Sequence, residues 1–310
     1  MLGRSRAEDP SAMLPTVPFG LHRVTRLVIG GNPFSGGSHF SPELDRAFLD
    51  YYTTDNIKRA LFECERCGLN TMQSRGDRHI RRMIREYRNE GGTLQWIAQT
   101  ASELADQHGH IRQLAEEAVG VYLHGTRTDA LWLDGRIDEA REYLKVIRDA
   151  GVVVGLGTHR PEVIEHVEER GWDLDFYMAC FYTLSPEPGA GHPLRRPGLA
   201  SPAASGIAKW VAVPGSRGFD DSDRDRMTAT IRATPKTCLA FKILAANRKC
   251  ATEPDIRQAF EYAFANIKPT DAVVVGMYQE HANQVAMNAA IVAELCAAGG
   301  ANRTPLARGG

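Results

Sequence analysis

The chain has no surplus of charge: 37 lysines and arginines face 38 aspartates and glutamates. That balance leaves no field to draw it to nucleic acid or to an anionic membrane. Also missing is any apolar run of about eighteen residues, the length a spanning helix needs. The opening MLGRSRAEDPSAM lacks the apolar stretch of a secretory signal, so residues 1–13 are expected to form a loose leader. Cysteine is sparse, six in 310 residues without the density of a disulfide scaffold, which fits a reducing compartment and a cytoplasmic location. Cys64 and Cys67 form one C-x-x-C inside the helical run 54–67, and no second pair completes a zinc site. The acids of DDSDRD (220–225) lack the glycine and closing glutamate of a calcium loop and read as a helix start, where the dipole favours them. The basic stretch RHIRRMIREYR (78–88) sets Ile80, Met83, Ile84 and Tyr87 on one face, the pattern of an amphipathic outer helix rather than a nucleic-acid arm. The expected partner is a small molecule.

What is present is alternation. Short apolar segments recur at 26–30 (RLVIG), 70–73, 94–99, 120–124 (GVYLH), 151–159 (GVVVGLGTH), 175–181, 238–244 (CLAFKIL) and 272–277 (AVVVGM). Between and after them lie helical periods: from a cap at Thr53 or Thr54, over 78–89, near 111–118, over 138–149, from Pro161, and over 220–233, 253–265 and 281–296. Strands buried on both faces need continuous Val, Ile and Leu, so eight such pairs predict an α/β fold, a (β/α)8 TIM barrel. It occupies one domain over 14–298, followed by a tail at 299–310. About 250 residues suffice for such a unit. Residues 31–52 are expected as a Gly-rich and aromatic loop. The segment 182–218, with His192, Arg195 and Arg196, is long enough to cover the mouth.

In a parallel barrel the carboxyl ends of the strands share one mouth. His124 and His159 each close an apolar strand and are therefore expected to face a common pocket. The other polar strand ends join them: Asn32, Gln73 with Arg75 and Asp77, Gln99, Thr158, and Lys242 with Asn247 and Arg248. Lys242 lies between large apolar residues, where burial favours the free amine. The alternative is a lysine paired with a carboxylate such as Asp77 or holding a substrate anion. His39, in FSGGSHFSP, is placed to reach the mouth from loop one, but reads first as a solvent-exposed loop histidine.

Three segments carry a family resemblance: TVPFGLHRVTRLVIGGNPFSG, GVYLHGTRTD with GVVVGLGTHRPEVIEHV, and AFANIKPTDAVVVGMYQEHANQVAMNAAI. They resemble the N-terminal hairpin and first strand, the fourth and fifth strands, and the last strand and helix of the aldo-keto reductase superfamily. The resemblance implies the barrel and its hairpin, an NADP cofactor, and hydride transfer assisted by a tyrosine, a lysine, an aspartate and a histidine. His124 stands at the histidine position. Gln73 stands at the aspartate position, SRGDRH has no tyrosine, and Gln99 or Thr100 takes the place of the lysine. Among the cofactor positions, Gly157 and Thr158 replace a serine and asparagine, Met178 replaces a glutamine, and Phe181 keeps an aromatic for the nicotinamide ring. GMYQEHANQ carries no arginine for a 2′-phosphate.

Without the tyrosine and lysine, the proton donor of reduction is gone. The expectation is a non-redox acid/base enzyme: a lyase, isomerase or epimerase for a small polar substrate, carbonyl-bearing or sugar-derived. His124 moves the proton, Lys242 polarises an oxygen or stabilises an enolate, and Arg75 or Arg248 holds an anionic group. Gln73, Asp77 and His159 complete the catalytic candidates. Asn32, Gln99, Thr158, Phe181 and Asn247 join the two arginines as binding candidates. A divalent metal on His124, His159 and Asp77 is a variant. The alternatives are an NADPH-dependent carbonyl reductase with a rearranged proton donor and a non-catalytic ligand-binding barrel.

Overall fold

The computed structural model describes residues 12–183 and 219–301. The expected leader, tail and mouth-covering segment fall almost wholly outside the described residues. A two-stranded antiparallel hairpin comes first, β1 (Thr16–Phe19) and β2 (His22–Thr25). Then follow β3 (Leu27–Gly30), β4 (Thr71–Arg75), β5 (Gln95–Gln99), β6 (Gly120–Leu123), β7 (Val153–Thr158), β8 (Phe176–Cys180), β9 (Thr237–Phe241) and β10 (Ala272–Gly276). These eight pair in parallel and close, β10 returning to β3, as a (β/α)8 barrel. The helices are α1 (Pro42–Tyr51), α2 (Thr54–Arg66), α3 (Arg78–Asn89), α4 (Gln107–Ala115), α5 (Gly125–Leu133), α6 (Ala140–Asp149), α7 (Pro161–Glu169), α8 (Asp221–Ala233), α9 (Glu253–Asn266) and α10 (Gln284–Ala301). No helix among the described residues is long and apolar enough to cross a membrane.

Strand alternation divides the core in two. On β8, Phe176 and Met178 pack inside the barrel with Val28, Ile97, Tyr122 and Leu239, whereas Tyr177 and Ala179 join the layer between strands and helices. The hairpin plugs the amino end: Val17, Phe19 and Val24 complete the inner cluster, and the Phe19 ring lies 4.7 Å from that of Phe176. Gly155 makes room for it, since a Cβ there would fall 2.2 Å from the Phe176 ring. Apolar side chains therefore seal one end of the barrel and leave the other for chemistry.

Two helices depart from expectation. Residues 31–52 contain α1, announced by a Ser41 side chain that accepts from the Leu44 amide and by Pro42 at the first helical position. The stretch after His124 contains α5, which starts on glycine and has no side-chain cap, so no local signal marks it. The fourth helix also begins earlier than expected, at Gln107, where Asp106 caps it.

Candidate functional site

His124, His159 and Lys242 are each the first residue after their strands, β6, β7 and β9. In an all-parallel barrel that places all three on the carboxyl rim. Alternation turns Gln73, Arg75, Gln99, His124, His159 and Cys180 towards the same interior, continuing the inward series below them.

The best-defined polar contact is between Asp129 and His159. Asp129, on α5, is 3% exposed, and its Oδ2 lies 2.7 Å from His159 Nδ1. Its Oδ1 accepts the Thr158 hydroxyl at 2.6 Å, and both oxygens receive the His159 amide. Burial pushes the His159 pKa down, more than the Asp129 hydrogen bond raises it. The ring is therefore neutral near pH 7, donates Nδ1–H to the carboxylate, and keeps a basic Nε2. His124 is held differently, between Ser102 Oγ at Nδ1 (3.3 Å) and Thr126 Oγ1 at Nε2 (3.4 Å). Burial brings its pKa down to about 3.

Lys242 is not on the strand, as the run CLAFKIL implied. The strand ends at Phe241, because Lys242 adopts φ +60°, a left-handed conformation that no strand continues. Ala245, Ala246 and Asn247 share this conformation. Left-handed backbone costs roughly 1 kcal/mol for a non-glycine residue, and such strain gathers at functional sites. Lys242 is half-buried, and among the described residues its amine makes no hydrogen bond and no ion pair, with Asp77 or any other carboxylate. Its amine and the His159 ring approach the same Phe241 ring, at 5.7 and 5.6 Å from the centroid. Burial pushes the Lys242 pKa down.

Beside Lys242 opens a cavity of about 230 Å³ between loop one, the ends of β9 and β10, and α10. Asn32, His39, Gln73, Asn247 and Tyr278 line it with Lys242, while His124 and His159 stand outside its wall. His39 is thus part of the mouth, not an exposed loop residue. Asn32 Nδ2 donates to its Nε2 at 3.2 Å, and the charge of Lys242 is the largest cause of its lowered pKa. Below, Gln73 Nε2 donates to the buried Tyr122 hydroxyl at 2.7 Å, and Gln99 reaches the same hydroxyl.

Other candidates are engaged elsewhere. Asp77 caps α3, accepting the Ile80 amide at 3.0 Å, and pairs with Arg75, which also meets Glu103. Arg75 is thus already neutralised. Arg248 donates to the carbonyls of His39, Ala245 and Ala246 and stacks 4.0 Å from the Phe219 centroid, with no carboxylate partner among the described residues. Phe181 is wholly buried and faces Tyr262 on α9 at 6.2 Å, on the outer side of β8 by alternation. Thr158 likewise points outward to Asp129. Phe181, which the resemblance set against a nicotinamide ring, and Thr158, a second cofactor position, therefore do not fit such a cofactor. Among the described residues no group of three or more His, Cys, Asp or Glu could hold a metal, so the set His124, His159 and Asp77 is not assembled.

Sequence reading missed Asp129 and Tyr122, and ranked His39 first as an exposed loop residue. Asp129 lies one turn into the unmarked α5. A usable sign was present, an acid five residues beyond a histidine that closes a strand.

No family model matches the chain, and no curated protein matches it. Solved structures do. A Pseudomonas aeruginosa protein described as a candidate aldo-keto reductase superposes with a TM-score of 0.57 at 15% identity, covering 93% of this chain and 98% of that one. A second structure so described, from the same organism, gives 0.59 with the same identity and coverage. A truncated 3-deoxy-D-arabino-heptulosonate 7-phosphate synthase from Thermotoga maritima gives 0.51 at 11% identity over 94% of each chain. At these identities the shared property is the barrel.

Proposed function

We propose that the protein is a non-redox acid/base enzyme, a lyase, isomerase or epimerase acting on a small polar carbonyl compound of the sugar-derived type. The observation that carries this reading is the Asp129–His159 contact at 2.7 Å on the rim that also bears Lys242. A neutral imidazole oriented by a buried carboxylate is a general base: its Nε2 takes a proton from the carbon beside a carbonyl, and Asp129 steadies the imidazolium that forms. Asp129 is a positioning residue. The proton-moving role first read for His124 fits His159 better, since His124 has only hydroxyl partners and a pKa near 3. Lys242 polarises the carbonyl oxygen or compensates an enolate, and Arg248 supplies a rim charge for an anionic group. The solved structures of similar fold carry both redox and non-redox descriptions, so the choice rests on the site. NADPH-linked reduction is the weaker reading, with Phe181 and Thr158 turned away.

The test is exchange of the α-protons of dihydroxyacetone and glyceraldehyde with D2O, followed by NMR. The wild type should accelerate exchange, and His159→Asn should lower the rate by about 10²–10⁴, the usual yield of general-base catalysis. Exchange at the buffer rate, with saturable NADPH oxidation by the same compounds, would replace this reading with the reductase.

A further inference from the structure

Among the described residues, every other lysine is matched to a carboxylate: Lys58 to Glu90, Lys145 to Asp149, Lys236 to Glu168, Lys249 to Asp221 and Lys268 to Asp271. Lys242 alone has none. A half-buried cation without a counter-ion is costly, and side-chain lysines in such places are rare. Its surroundings add to the cost: Ile243, Leu244 and Val274 line the cavity beside it, and its backbone is held in the left-handed region. An amine so placed is suited to act as a neutral nucleophile.

We propose that Lys242 forms a covalent imine with an aldehyde or ketone substrate that enters the 230 Å³ cavity and extends past its Phe241 wall to His159. The proposal rests on the acid/base reading above and specifies its electron sink. The Nζ lone pair attacks the carbonyl carbon, forming a C–N bond. The carbonyl oxygen takes up protons and leaves as water, so that amine plus carbonyl gives imine plus water without oxidation or reduction. In the protonated imine the adjacent C–H is acidified. His159 Nε2 takes that proton, the C–H electron pair becomes the carbon–carbon double bond of an enamine, and the C=N pair withdraws onto nitrogen. Reprotonation and hydrolysis return the free amine. Nucleophile and base approach the same Phe241 ring, the amine 5.7 Å and the imidazole 5.6 Å from its centroid. Burial supports the chemistry by lowering the amine's pKa, which raises its free-amine fraction.

The experiment treats the full-length protein with 2,4-pentanedione at neutral pH. Absorbance reports the enaminone, and peptide mass mapping finds the modified lysine. The expected result is a single adduct, on Lys242, formed at least ~10-fold faster than at any other lysine, because each unit of lowered pKa raises the free-amine fraction about tenfold. Lys242→Arg, which keeps the charge but not the nucleophile, should abolish it. Adducts absent or spread evenly over the paired lysines would overturn the proposal. Parallel α-proton exchange of hydroxyacetone separates the two ideas. Exchange that needs His159 but survives in Lys242→Met overturns the imine and leaves the acid/base reading standing. An adduct on Lys242 without any exchange sustains the imine and overturns the acid/base reading.

Discussion

At the amino end of the barrel Phe19, Phe176 and Val153 pack together under a two-stranded plug. At the carboxyl end the same strands finish in Gln73, Gln99, His124, His159 and Lys242. On β8 the inner cluster takes Phe176 and Met178 and ends before Cys180. The plugged end is satisfied: its groups are apolar and in contact. The rim is not, for it gathers three imidazoles of lowered pKa and an amine with no carboxylate partner among the described residues. One end holds the fold, and the other spends stability on chemistry.

Lys242→Met should break this contrast most visibly. It is expected to remove at least ~10³-fold of turnover, about 4 kcal/mol of transition-state stabilisation. The melting temperature should hold, because Lys242 makes no ion pair among the described residues. Loss of ~3 kcal/mol or more of stability would instead mark a lysine whose charge balances a buried partner. Phe19→Ala is the converse. Removal of a buried ring should cost about 3–5 kcal/mol by denaturant titration while turnover per folded molecule is kept. A matching loss of activity would mean that the plug shapes the mouth.

A smaller effect is pH-dependent. His39, His124 and His159 all have lowered pKa values in the folded state. The unfolded chain therefore binds more protons below its imidazole pKa of about 6.5, and stability should fall as pH drops through that value. For His124 the window extends down to about 3. Each histidine contributes a slope of up to ~1.4 kcal/mol per pH unit, and His124→Asn should flatten its share. A stability curve flat between pH 7 and 5 would contradict the neutral rim. The smallest effect belongs to Leu21, fully exposed at the hairpin tip, where Leu21→Asn should change stability by no more than ~0.5 kcal/mol.

Much of the molecule was legible because its signals are local. Short, largely apolar runs marked all eight strands within a few residues, and the Thr53 cap opened the helix it was assigned to. Placing His124, His159 and Lys242 on one rim needed only the strand ends and parallel order. Errors arose where a local rule was silent or was overridden. Asp129 was overlooked because α5 begins on glycine with no side-chain cap, so its residues read as loop. Lys242 was put on a strand because FKIL is apolar, and a left-handed φ leaves no trace in residue type.

The sequence by itself determined the barrel and the rim on which polar residues gather, because hydrophobic periodicity and strand direction are carried by neighbouring residues. Only the tertiary structure decided which of those residues meet. Asp129 reaches His159 thirty positions later, His39 comes under the charge of Lys242 from loop one, and Asp77 turns aside to cap α3. Such pairings depend on how helices and loops pack across the mouth, over distances in the chain that no periodicity encodes.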